Sequence, residues 1–374
     1  MREDSIRTYE ADCLIKLIEA ILSKQELPKF EQDPDWEKLY KLAIYHNVGS
    51  IAYCCLLGTE AYELDPWKEK LAKIYHKAVS LEGHYTAQVP RILEALEKAR
   101  IDCVLFGDYI LRVYYPRPEM RPLSSVNFLV DQRDCKAVRA IMMDLDFSEE
   151  QPLSFKKEPG LCITFYPRLE FLNKQFSKYF NIPLKQYVTL SAHRYVRGLE
   201  PEEFYLYLLA CVAEAYAKGD MDMGLLLDYR CFYRALYKTL DWGYLSKESE
   251  RLKMGVFPEY ITKLSALWYD GFVDDWEDAI LTEMEAYVLT KGESGRVQSE
   301  KLLPLVRQVV DIYQRKLQKK RRRERLEILF PNLEYMQAMY RILRYVPPLL
   351  PFCWLLRGVR LRKDKIIAKK VNKK

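Results

Sequence analysis

Residues 104–130, VLFGDYILRVYYPRPEMRPLSSVNFLV, decide the fold. A short apolar run, beginning at Ile101 and ending at Phe106, has the pattern of a buried strand and leads into Gly107. Tyr109–Tyr115 reads as a brief helix stopped by Pro116 and Pro118. VNFLV, Val126–Val130, is a second strand. Its alternation places Val126, Phe128 and Val130 on one face and Ser125 and Asn127 on the other.

Outward from this stretch the pattern continues. Arg133–Leu145 reads as an amphipathic helix, and Leu161–Pro167, LCITFYP, as a third strand. Strand–Gly–helix–strand–helix–strand makes a compact α/β core. The first hundred residues read as helices: residues 10–25, a second started by Asp33-Pro34-Asp35, a third from Ser50, and one or two over 66–99. From Glu200 the chain is helical again, with elements expected over 224–240, 275–290 and 302–326. The expected fold is α+β and mostly helical, with a mixed sheet. Its divisions are 1–99 (helical), 100–182 (the α/β core), 183–330 (helical) and 331–374 (proline-bent helices with a basic tail).

Composition narrows the classes. Hydrophobic residues are 49% of the chain, which excludes a disordered protein. Nine scattered cysteines without a C-x-x-C pair fit neither a disulfide framework nor zinc, and point to a reducing cytoplasm. The most apolar run, Tyr345–Leu356, is too short to span a bilayer and holds three prolines. Net charge is +6, but residues 315–374 carry 19 Lys/Arg against 4 Asp/Glu, and the rest carries 40 against 49. Two basic tracts, 315–325 and 357–374, fit nucleic acid or an anionic membrane surface. They also fit a solvated face or docking on the acidic body, and this second reading is preferred because aromatic residues do not interleave the first tract and the last lacks a long apolar face.

Three segments carry a family resemblance: 104–130, Asp35–Leu56 and Ile328–Arg360, supported by Gly224–Leu236. Together they resemble the bacterial family of uncharacterised nucleotidyltransferases within the polymerase-β-like superfamily. Gly107, Tyr115, Pro116, Pro118, Arg121 and Pro122 stand in register with its motif. The resemblance implies a site at Ser125, Asn127 and Thr164, where the family has two Asp and a Glu. It also implies a nucleotide-binding role for Gly107, Asp108, Arg121 and Asp228. Nucleotidyl transfer uses Mg²⁺ held by carboxylates, and all three of those positions are neutral here. The family's Lys-Gly is Phe106-Gly107, and its His–x–x–Lys–His is Cys211–Ala215. Asp108 is expected to cap the helix that follows Gly107.

The expected function is therefore that of a family member impaired in catalysis, a pseudoenzyme binding a nucleotide or a protein partner. Two alternatives stand: an active enzyme recruiting Asp102, Asp131 or Asp134 as metal ligands, and an anion-binding module run by the basic tail. Mg²⁺ and a nucleoside triphosphate enter only if the chain is active.

Overall fold

The computed structural model describes residues 7–26, 28–57, 66–190, 193–271 and 279–292, together with 330, 336, 340, 343 and 347–354. The chain forms two compact units, 1–310 and 311–374. The expected helix 302–326 and both basic tracts, 315–325 and 357–374, lie outside the described residues.

In the first unit, α1 (Tyr9–Ser23) starts where the Thr8 hydroxyl accepts from the Ala11 N–H, and α2 (Trp36–Tyr45) where the Asp35 carboxylate accepts from Lys38. α3 (Gly49–Leu56) is buried along its whole length. The expected one or two helices after it are one, α4 (Pro66–Lys98), 33 residues long with Pro90 inside. At 1.5 Å per residue it reaches about 50 Å. Its first half puts Leu71, Ala72 and Tyr75 into a core shared with α1–α3. Its second half puts Tyr85, Val89, Ile92 and Leu96 against the sheet.

The sheet has seven strands: β1 (Cys103–Phe106), β2 (Val126–Val130), β3 (Ser148–Gln151), β4 (Ser154–Lys157), β5 (Leu161–Tyr166), β6 (Val188–Thr189) and β7 (Val196–Gly198). Their order is β3-β4-β5-β2-β1-β7-β6. β2 runs antiparallel to β1 and parallel to β5, and β1 runs parallel to β7, so the sheet is mixed. Val126, Phe128, Val130, Ile163 and Phe165 point to one face, where Phe128 and Phe165 stack at 5.1 Å. The second half of α4 and helix α6 (Cys135–Asp144) cover it. Val104, Phe106 and Leu129 belong to the opposite core, with Asn127 and Thr164 on that same side.

Two expected helices are altered at their ends. Asp108–Leu111 is one α turn (α5) followed by a 3-10 turn over 112–114, because Pro116 and Pro118 leave no room for a longer helix. Residues 132–134 are likewise a 3-10 turn before α6. After α7 (Lys174–Phe180) come α8 (Pro201–Lys218), α9 (Met223–Leu236), α10 (Trp242–Arg251), α11 (Phe257–Tyr269) and α12 (Ala279–Leu289). In the second unit, Met336, Leu343 and Cys353 bury a small cluster with Tyr340, Leu350 and Trp354. Among the described residues no helix is long and apolar enough to cross a membrane.

Candidate functional site

The chain leaves β1 at Phe106 and turns at Gly107, whose φ of +79° an L side chain rarely adopts. A Cβ there would also lie 3.2 Å from Asn127 Nδ2, so glycine serves both the turn and the close approach to β2. Gly107 holds the cap position and Asp108 is the first helical residue, with no side-chain cap bond. This corrects the expectation that Asp108 caps the helix: its carboxylate is turned to a partner outside the helix.

That partner is Arg121. Its Nη2 lies 3.1 Å from Asp108 Oδ1, while Nε and Nη2 donate to the two oxygens of Asp228 at 2.7 and 2.8 Å. The Tyr115 hydroxyl donates to the same Asp228 at 2.6 Å. Asp228 sits on α9 and is 2% exposed. Burial pushes its carboxyl up, and Arg121 pulls against that shift. Desolvation would lower Arg121, but Asp228 and Asp108 outweigh it and hold the guanidinium charged. The loop between Tyr115 and Arg121 is fixed further by Ser50 Oγ donating to the Glu119 carbonyl at 2.6 Å and by Tyr75 donating to the Glu119 carboxylate at 3.2 Å. The Tyr-Pro-x-Pro-x-x-Arg-Pro stretch thus pins the start of β2 to α3, α4 and α9.

From there β2 presents its polar face. Ser125 Oγ donates to Asn127 Oδ1 at 2.8 Å. Asn127 stands opposite Phe106 on β1 and Thr164 on β5. Thr164 Oγ1 lies 3.3 Å from Ser154 Oγ. The register therefore aligns Asn127 and Thr164 as neighbours, with Ser125 on their face. Among the described residues, no three or more His, Cys, Asp or Glu side chains are grouped to hold a metal ion.

Asn127 opens onto a cleft of about 810 Å³ between the central strands β1, β2 and β5 and α8. Phe106, Tyr166 and Tyr207 form its aromatic side, with Tyr166 and Tyr207 edge-on to Phe106 at 5.9 and 5.8 Å. α8 contributes Tyr207, Cys211, Glu214, Ala215 and Lys218. Burial pushes the Cys211 thiol up to about 12, so it stays protonated. Burial also raises the Tyr166 and Tyr207 hydroxyls, and Asp108 adds to both shifts.

Two of the three acids lining the cleft, Glu214 and Glu170, are paired with other groups, and the third is Asp220. Glu214 accepts from the Leu172 N–H at 2.7 Å and pairs with Lys218 at 2.8 Å. Glu170 pairs with Arg168 at 2.8 Å. Of the carboxylates weighed as substitutes, Asp102 pairs with Arg197 at 3.2 Å, and Asp131 and Asp134 both pair with Arg133. Another cavity, about 700 Å³, has Asp108, Arg121 and Asp228 in its lining.

The sequence identified Asn127, Ser125, Thr164 and the glycine turn as one site. Of the α8 wall, the stretch Cys211–Ala215 was marked by the resemblance and supplies Cys211, Glu214 and Ala215, whereas Tyr207 and Lys218, on the same helical stripe, were not singled out. Compared with known proteins, residues 32–270 match the family model described as an uncharacterised nucleotidyltransferase. Neither the curated proteins nor the solved structures gave a match.

Proposed function

The chain belongs to the uncharacterised nucleotidyltransferase family, and we propose that it is a member without metal-dependent transfer whose cleft works as a binding site. The observation that carries this reading is the polar face of β2 and β5. It keeps the register needed to bring three metal ligands together, yet presents Ser125, Asn127 and Thr164.

Two Mg²⁺ ions clamping the attacking and leaving oxygens need hard, charged ligands to offset dehydration of the cation. A hydroxyl and an amide supply oxygens without charge. The residues present do not fit Mg²⁺. Asp108 is the nearest acid along the chain to the glycine turn. Recruiting it would strip Arg121 of one of its two anionic partners.

The fold around the cleft is nonetheless complete: Gly107, the pinned loop and the aromatic side are all in place. This supports retention of binding, with a nucleotide or a protein partner as occupant. The test is pyrophosphate release by the purified full chain from each of the four common nucleoside triphosphates with Mg²⁺ or Mn²⁺. No release above a protein-free control is expected. Metal-dependent release that disappears in Asn127→Ala would sink the proposal.

A further inference from the structure

The cleft's chemistry narrows what it holds. Resting on the reading of a binding cleft without a metal, we infer that its ligand is an uncharged nucleoside or nucleobase, bound without phosphate and without a divalent cation.

The first ground is the aromatic side. Tyr166 is 38% exposed, braced edge-on by the buried Phe106, and lines the cleft. A partly exposed ring held by its neighbour offers a face on which a planar base stacks, and stacking tolerates any base because each has a π-face. The volume of about 810 Å³ lies within the range of small-molecule sites.

The second ground is the polarity of Asn127. Oδ1 accepts from Ser125, and Nδ2, which lies beside Gly107, donates no hydrogen bond among the described residues. A carboxylate at this position would accept hydrogen bonds; the amide donates them. The ring nitrogens and carbonyl oxygens of a base are acceptors of the matching kind.

The third ground is charge. The two cations on the cleft lining, Arg168 and Lys218, are each already paired with a glutamate. The lining also includes Asp220, and the field of Asp108 reaches Tyr166, Tyr207 and Cys211. Phe106 stands immediately before the glycine turn, where a phosphate-binding lysine would sit, and α5 spans only four residues. A triphosphate would bring several negative charges to a lining that holds no unpaired cation to meet them.

The experiment is isothermal titration calorimetry on the full chain with adenosine, guanosine, cytidine and uridine, and with their triphosphates, each with and without Mg²⁺. At least one nucleoside is expected to bind, and its triphosphate to bind about tenfold or more weakly, with Mg²⁺ changing neither. Tyr166→Ala is expected to weaken the nucleoside about tenfold, in line with loss of one stacked base. Tyr166→Phe keeps the stacking face and is expected to retain affinity, which separates loss of the ring from loss of the hydroxyl. Binding of a triphosphate more tightly than its nucleoside, or dependence on Mg²⁺, overturns the inference. Absence of binding by all four nucleosides overturns it too, but leaves the reading of an inactive transferase standing. That reading falls only if pyrophosphate is released.

Discussion

Two sets of polar side chains flank the start of β2 and have opposite character. Asp108, Arg121, Asp228 and Tyr115 form a charged cluster, and every oxygen or nitrogen named in it has a partner of opposite polarity. Ser125, Asn127 and Thr164 form a neutral row on one face of the sheet, with uncharged contacts only: Ser125 to Asn127, and Thr164 to Ser154 on β4. Charge persists where it is paired in a dry interior and fastens the loop. It is absent where a metal would have compensated it. Like carboxylates lining one face repel each other and gain stability only with a cation between them; a cleft without the cation is more stable with neutral residues.

The largest expected effect breaks the charged side of this contrast. Arg121→Ala leaves Asp228 buried beside a lone tyrosine donor and should cost about 4 kcal/mol in denaturant unfolding. Replacing both partners, Arg121→Met with Asp228→Leu, should recover a good part of the loss, since the charge then left without its partner, Asp108, is partly exposed to water.

A buried titratable group outside the cluster gives the next effect. His46, at the end of α2, is fully buried and accepts from the Met223 N–H through Nδ1. Burial, with Lys291 adding, lowers its pKa to about 4 from an ordinary 6.5. The unfolded chain therefore takes up the proton first as pH falls. The stability from this residue is complete above about 6.5 and is lost as pH drops toward 4. The window of 2.5 units corresponds to about 3 kcal/mol. His46→Gln should flatten the pH dependence of unfolding between those values, and an unchanged slope would show that His46 is not the titrating group.

Tyr115→Phe removes one charge-assisted donor from Asp228 while Arg121 remains, and should cost about 2 kcal/mol by thermal or denaturant melts. Smallest is Ser125→Ala. It removes a half-exposed hydroxyl bond on the neutral row and should cost less than about 1 kcal/mol. If Ser125→Ala proved as damaging as Arg121→Ala, the contrast between the two sets would fail.

Much of this arrangement was legible in the sequence because it depends on local period. The alternation of Val126, Phe128 and Val130 fixed the face on which Asn127 lies, and Gly107 marked the turn. What escaped depends on partners far apart in the chain. The role of Asp108 is decided by Arg121, and that of Arg121 by Asp228 a further 107 residues on. The strands β3, at the sheet edge, and β4 beside it, SEEQ and SFKK, escaped because short polar segments carry little apolar alternation. α4 continues through Pro90 although proline removes a helix hydrogen bond; the burial of Tyr85, Val89 and Ile92 against the sheet holds it together. That compensation is tertiary and leaves no mark on the local sequence.

The most direct test of a neutral cleft is Mn²⁺ binding followed by the electron paramagnetic resonance of the free ion. The wild-type chain is compared with the combined variant Ser125→Asp, Asn127→Asp and Thr164→Glu. The expected result is no stoichiometric loss of signal with wild type and a clear loss with the variant, since the register already aligns the three positions. Stoichiometric Mn²⁺ binding by wild type, abolished by Asn127→Ala, would contradict the account.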